Sequence, residues 1–367
     1  MAILHPSPPR PALVPVANLA DALIEGRRRA HALGMPVLVS RAERIPAVDP
    51  LAVFAGAAGR GLRRVFWEHR DRETGRQLVL AGIGGAATLA SSPDSPFASA
   101  AAEWRSLLAA ALIDAPATVP GVGPLALGGF RFDPRGSHTA LWDGFPDCSL
   151  ALPILTITAV EGQHWLTTSL VVDSEADPAL LMADARALRD SVLQDAVRYI
   201  GEVYSEGVQP ATRVAPFLPA DHSRRSGSAE PDDVLSEPEW RRLVDEAARD
   251  VRRGTLAKVV LAREVVLVGQ DGTFDPAGAL ARLRVTFPDA HLFAVAPGRT
   301  EGASGDPVFL GASPERLVRL AGGILDTSCL AGSIGRGATE AEDRALGARL
   351  LASAKDRVEH ALVATML

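Results

Sequence analysis

An α+β fold is predicted from three features of the chain. Strand-like and helix-like stretches both run through its 367 residues, but without the regular strand–helix alternation of a doubly wound sheet. The clearest strand pair is antiparallel: Leu152–Val160 and Trp165–Val172 alternate around Glu161–Gly162. A second hairpin-like pair, Arg316–Leu320 and Ile324–Thr327, is joined by Gly322–Gly323.

The elements follow in order. Asn18–Leu33 has helical spacing, with Leu19, Leu23 and Ile24 on one side and Arg27–Arg29 on the other. Val37–Val39, Val65–Trp67 and Gln77–Gly82 are short β-type runs. Pro96–Ile113 reads as a helix, with Ser95 as N-cap and Pro96 at its first position. Leu125–Phe132 is an interrupted strand whose Gly128–Gly129 predicts a bulge or a close backbone approach. Pro178–Tyr204 is a long helix with Leu181, Leu188, Val192 and Ile200 on its apolar stripe.

Gly207–Asp233 carries four prolines and RRSGS, and reads as a linker or surface excursion. It divides an N-terminal scaffold region, 1–206, from a second region, 234–367. The second region opens with a capping box, Ser236-Glu-Pro-Glu239. Trp240, Leu243, Val244, Ala247 and Val251 form the expected buried face of that helix, and Gly254 closes it. A strand over Leu256–Val268, a helix over Pro276–Thr286, and strands over Leu292–Val295 and Val308–Gly311 follow. Thr339-Glu-Ala-Glu342 caps a last helix.

Composition narrows the function classes. Apolar content of 47% and charged content of 22% are those of an ordinary globular protein. A net charge of −6, with arginines spread along the chain, argues against a nucleic-acid binder. Cys148 and Cys329 are the only cysteines, which suggests reduced thiols and excludes a Cys-rich zinc site. Prolines interrupt MAILHPSPPRP where a signal peptide needs an apolar run, and Leu107–Ile113 is too short to span a bilayer. A soluble, cytoplasmic protein with no membrane partner is expected.

Three strings place ionisable residues among small or apolar ones: AKVVLAR at 257–263, LGASPE at 310–315 and LLASAKDRVEH at 350–360. Lys258 would share a strand face with Val260 and Ala262. It reads either as an edge lysine guarding against aggregation or as a desolvated base. Glu315 follows a buried run and Pro314, and is either a solvated acid after a turn or a proton donor. Glu359 lies one helical turn after Lys355, and is either half of a surface pair or a hard oxygen ligand for Mg²⁺. His360 is a poor Mg²⁺ ligand. The GSIGRG turn, 332–337, could present backbone N–H groups to an anion, but a plain loop is the simpler reading.

Together and in this order, KVVLAR, LGASPE, LAGS and the SxKDRxEH run resemble the chorismate-utilising enzymes: isochorismate, salicylate, anthranilate and aminodeoxychorismate synthases. The resemblance covers Ser236–Leu367. GGFRFD at 128–133, with Trp142 and Phe145–Pro146, looks like the menaquinone-type isochorismate synthases. The implied fold is two similar subdomains with stacked antiparallel sheets and flanking helices. The implied roles are Lys258 as general base for water attack at C2 of chorismate and Glu315 as general acid for the departing C4 hydroxyl. Glu359 is implied as one of two glutamates holding Mg²⁺, and Gly332 and Ser333 as a loop at the substrate carboxylate. Ala331 stands where aminodeoxychorismate synthases often carry a nucleophilic lysine, so direct attack by water fits better. Cys329 departs from the proline usual there.

The resemblance implies a Mg²⁺-dependent isochorismate synthase feeding menaquinone or a siderophore, with no glutaminase subunit. Salicylate synthase is the enzyme alternative, and a non-catalytic chorismate binder the alternative of another class. The family continues past the point matching Leu367, so a fold incomplete at its C-terminal end, with the second Mg²⁺ ligand missing and little activity alone, is expected.

Overall fold

The computed structural model describes residues 18–71, 74–133, 136, 142, 144–205, 218–219, 235–264, 267–268, 274–298 and 307–366. They fall into two compact units, Met1–Arg213 with Asp275–Pro314, and Val214–Phe274 with Glu315–Leu367. The contiguous region expected over 234–367 is thus divided between the two. Nearly all of the expected excursion lies outside the described residues.

The first unit is built on one sheet. Its strands are β1 (Val37–Arg44), β2 (Arg64–Arg70), β3 (Gln77–Ile83), β5 (Leu112–Asp114), β7 (Leu155–Val160), β8 (Gln163–Val172), β11 (His291–Ala296) and β12 (Phe309–Ser313). Their order is β12-β11-β2-β3-β7-β8-β1-β5. Only β1 and β5 run parallel, so the sheet is mixed and the class is α+β, as expected. Of the two stacked sheets expected, the described residues hold one large one. The short strands β4 (Ala87–Thr88) and β6 (Ala151–Leu152) pair beside it.

The β7–β8 hairpin forms at the expected place. Glu161 (φ 50°) and Gly162 (φ 73°) both take left-handed conformations, the geometry a two-residue hairpin turn demands. Alternation along the strands then sorts the two faces of the sheet. Phe66, Ala81, Ile83, Leu155, Ile157, Leu166, Leu292 and Ala294 point to one face and form the main core. Against them pack α2 (Pro50–Gly56), α4 (Pro178–Ser205) and α6 (Pro276–Thr286). α1 (Leu19–Leu33) extends the same layer, with Leu23 against Val39 and Val172, while Ile24 is exposed. Gly26 of α1 lets the helix lie close to the sheet, since a Cβ there would stand 2.6 Å from Val39 Cγ2.

Three local expectations are corrected in this unit. The helix begun at Pro96, α3, ends at Ala109, and Leu112–Asp114 becomes strand β5 because its backbone groups pair with β1. Leu125–Phe132 forms no strand, only isolated bridges Leu127–Ala151 and Phe130–Cys148. Between them Gly128 (φ 143°) makes the close approach its sequence announced, for a Cβ there would sit 2.0 Å from the Ser149 carbonyl oxygen. Third, α2 was not foreseen. Its seven residues are too few for periodicity, but Asp49, whose side chain accepts from Leu51 N, and Pro50 at the first position are helix-start signals.

The second unit holds α5 (Glu237–Arg253), α7 (Glu340–Ala352), α8 (Ala354–Ala364) and the pairs β9–β10 (Leu218–Pro219 with Leu267–Val268) and β13–β14 (Arg319–Ala321 with Ile324–Asp326). Both capping boxes form as expected: Glu239 accepts from Ser236 N, and Glu342 from Thr339 N. Gly254 ends α5 at φ 77°. None of residues 235–264 and 315–366 is buried. Leu243, Val244 and Val251, expected to be covered, are 36–40% exposed, because within the unit as described no layer lies over that stripe. Among the described residues of the protein, no helix is long and apolar enough to cross a membrane.

Candidate active site

Residues 257–264 do not form the expected strand. A strand needs a neighbour to satisfy its backbone groups, and within this stretch of the second unit no pairing is made; only Leu267–Val268 pairs, with β9. Lys258 is therefore presented by an irregular segment that follows the Gly254 stop of α5. Its ammonium Nζ lies 3.2 Å from Glu359 Oε1 on α8. Both side chains are partly covered, 27% and 34% exposed. Glu359 thus pairs across the unit with Lys258 rather than along its own helix with Lys355.

The helix expected to start at Thr339 breaks in two at Ser353. Ser353 caps α8, its hydroxyl accepting from Asp356 N at 3.3 Å. That break sets the direction of the helix that carries Glu359. The loop Gly332–Gly337 sits on the start of α8: Gly332 has φ 84°, and a Cβ there would be 2.9 Å from Asp356 Cβ. Cys329 Sγ donates to the His360 carbonyl at 3.8 Å, so this cysteine ties the approach to the loop onto α8.

The far end of the loop is held by α7. Asp343 Oδ1 accepts from Arg336 Nε at 2.6 Å and from Gly337 N at 3.0 Å, and Oδ2 accepts from Arg336 Nη2 at 2.6 Å. The Arg336 guanidinium, then the Gly337 amide, hold the Asp343 carboxyl below the usual aspartate range. Sequence reasoning missed Asp343, although it directly follows Glu342 of the capping box.

Of the expected site residues, the structure brings Lys258 and Glu359 together and sets Gly332 against the first turn of the Glu359 helix. Ser333 is exposed beside Gly332. Glu315 is exposed and carried on the turn after β12, with Arg316 beside it reaching Asp326 at 3.7 Å. A cleft of about 800 Å³ in the first unit, between α4 and residues 43–50, is lined by none of these five residues. Glu359 offers the hard oxygen that Mg²⁺ prefers, and Mg²⁺ sites often use only one or two carboxylates. Among the described residues no group of three or more His, Cys, Asp or Glu side chains is placed to hold a metal.

A family model described as chorismate binding enzyme matches residues 25–367. The chain belongs to the chorismate-binding enzyme family. Its relatives include the salicylate biosynthesis isochorismate synthase of Pseudomonas aeruginosa, 34% identical over 335 residues, covering 91% of this chain and 62% of the relative. The isochorismate synthase MenF of Bacillus subtilis is 27% identical over 351 residues, covering 94% and 67%. In fold, the chain is similar to MenF of Escherichia coli, the menaquinone-specific isochorismate synthase, with a TM-score of 0.52, 19% identity, and coverage of 94% of this chain and 67% of that one. The chain thus spans 62% to 67% of the length of these family members.

Proposed function

We propose that this member of the chorismate-binding family is an isochorismate synthase, which moves a hydroxyl group on chorismate from C4 to C2. The observation that carries the reading is the meeting of Lys258 and Glu359, a proton-transfer group and a hard oxygen donor, 3.2 Å apart and drawn from distant parts of the chain. In this reading Lys258 takes a proton from the water that attacks C2. Glu315 gives a proton to the C4 hydroxyl as it leaves. Each transfer is worth about 10²–10⁴-fold in rate. Gly332 and Ser333 face the substrate carboxylate.

The chemistry of Glu359 fits Mg²⁺ as one ligand. The ion, when bound, neutralises charge on a small dianionic substrate. Glu359 would hold it in place of its contact with Lys258, whose amine must be neutral to take the proton from water. Because the entering group is water, the reaction takes no ammonia and needs no glutaminase partner. Two free thiols, Cys148 and Cys329, suit a cytoplasmic setting. The GGFRFD segment favours menaquinone synthesis over a siderophore pathway.

Product identification by mass and absorbance, after incubation with chorismate and Mg²⁺, tests the reading. Isochorismate that disappears in Lys258→Ala, in no more than small amounts for these 367 residues alone, is the expected result. Salicylate with pyruvate moves the assignment to salicylate synthase. Chorismate binding by titration calorimetry without turnover leaves only a binder and sinks the catalytic reading.

A further inference from the structure

The loop that carries Gly332 and Ser333 is pinned at both ends. Its entry lies against Asp356, where Gly332 has room for no side chain: a Cβ would be 2.9 Å from Asp356 Cβ. Its exit wraps round two adjacent carboxylates at the start of α7. Asp343 accepts from the Gly337 amide and from Nε and Nη2 along one edge of Arg336, while Glu342 Oε2 accepts from Ala338 N at 3.0 Å and Thr339 N at 3.1 Å. Gly337 is pressed into this corner, since a Cβ there would stand 2.3 Å from Asp343 N. Only Ser333, Ile334 and Gly335 lie between the Gly332 contact and the Arg336 clamp.

We infer that Asp343 is a positioning residue for the substrate: through Arg336 and Gly337 it holds the Gly332–Ser333 backbone in the shape that receives the carboxylate. This rests on the reading of Gly332 and Ser333 given above. The physical reason is preorganisation. A short segment ordered before binding leaves less conformational freedom to be lost when the anion arrives. The clamp is also poorly placed to serve the fold as a whole. Arg336 is 87% exposed, and exposed ion pairs contribute little to global stability. Its loss should therefore show in the loop and in substrate affinity.

The test compares Asp343→Asn and Asp343→Ala with the parent chain, at fixed Mg²⁺. Asparagine can still accept from Gly337 N–H but gives up the charged bidentate pairing; alanine gives up both. The expected result is graded: amide hydrogen exchange over 332–337 rises in Asp343→Asn and further in Asp343→Ala. KM for chorismate rises in the same order, about tenfold for alanine, with kcat within about twofold and an unchanged melting temperature. Unchanged exchange, unchanged KM, or a loss confined to kcat overturns the inference. If Asp343→Ala does not fold, Asp343→Asn decides by the same two readouts. A parent chain that neither binds nor turns over chorismate refutes the substrate role along with the reading beneath it, while the exchange comparison still decides the clamp.

Discussion

Lys258 Nζ stands 3.2 Å from Glu359 Oε1, which joins two residues far apart in the chain. Both are partly exposed, so the pair contributes about 1 kcal/mol or less to stability. Lys258→Ala and Glu359→Gln should each leave the melting temperature within a few degrees of the parent. In the proposed reaction Lys258→Ala lowers kcat by about 10²–10⁴-fold, and Glu359→Gln raises the Mg²⁺ concentration needed for half-maximal rate. A large drop in melting temperature in either variant would make the pair structural and count against the proposed roles.

The first unit holds an ion network of the opposite kind, with one buried member, Glu68. Arg284 Nε donates to Glu68 Oε2 at 2.7 Å and Arg284 Nη1 to Asp49 Oδ2 at 2.9 Å, while Gln77 Nε2 donates to Glu68 Oε1 at 2.7 Å. Glu68 is only 4% exposed. Removing the arginine strands a buried carboxylate, so Arg284→Met should cost about 3 kcal/mol in urea unfolding. Adding Glu68→Gln should recover part of that loss, because a neutral amide needs no counter-charge. Equal destabilisation in the single and double variants would show that the loss is one of packing.

Tyr199 predicts a pH dependence. Burial, and then the negative charges of Asp275 and Asp49, push its phenol up to about 12. An unfolded tyrosine ionises near pH ~10. Because the folded group holds its proton more tightly, the associated stability is complete below about pH 10. It falls as pH rises from about 10 to about 12, by less than about 3 kcal/mol because the group is partly exposed. Tyr199→Phe should flatten that part of the stability curve. Ultraviolet titration of tyrosinate should show one of the two tyrosines ionising late; two ordinary transitions would contradict this.

Gly128 and Gly129 are neighbours with opposite tolerances. An alanine at 128 would meet the Ser149 carbonyl at 2.0 Å in a left-handed backbone, while at 129 nothing lies within 4 Å. Gly128→Ala should destabilise the first unit by about 3 kcal/mol, and Gly129→Ala by less than about 1 kcal/mol. Thermal unfolding of the two variants measures the difference directly.

Much of the local structure was legible in the sequence. The caps at Ser236 and Thr339, the stop at Gly254, the hairpin at Glu161–Gly162 and the helix over Pro276–Thr286 are all formed. These depend on hydrogen bonds and backbone preferences within a few residues, and the residues that supply them are adjacent in sequence. The motifs holding Lys258, Glu315 and Glu359 were legible for another reason: they are short strings in a characteristic order.

What depended on distant partners was not legible. A β-type run becomes a strand only if another backbone pairs with it. So the apolar run at 291–296 found β2, while the run at 257–264 stayed irregular. By the same physics the last two residues of a predicted helix, Leu112 and Ile113, became part of β5. The sequence by itself determined the family, the α+β class and the residue types at the candidate site. Only the tertiary structure decided that Glu359 meets Lys258 rather than Lys355, that Asp343 clamps the Gly332 loop, and that β11 and β12 join the sheet of the first unit. Such contacts are chosen by the packing of whole elements, and no short window of sequence contains both partners.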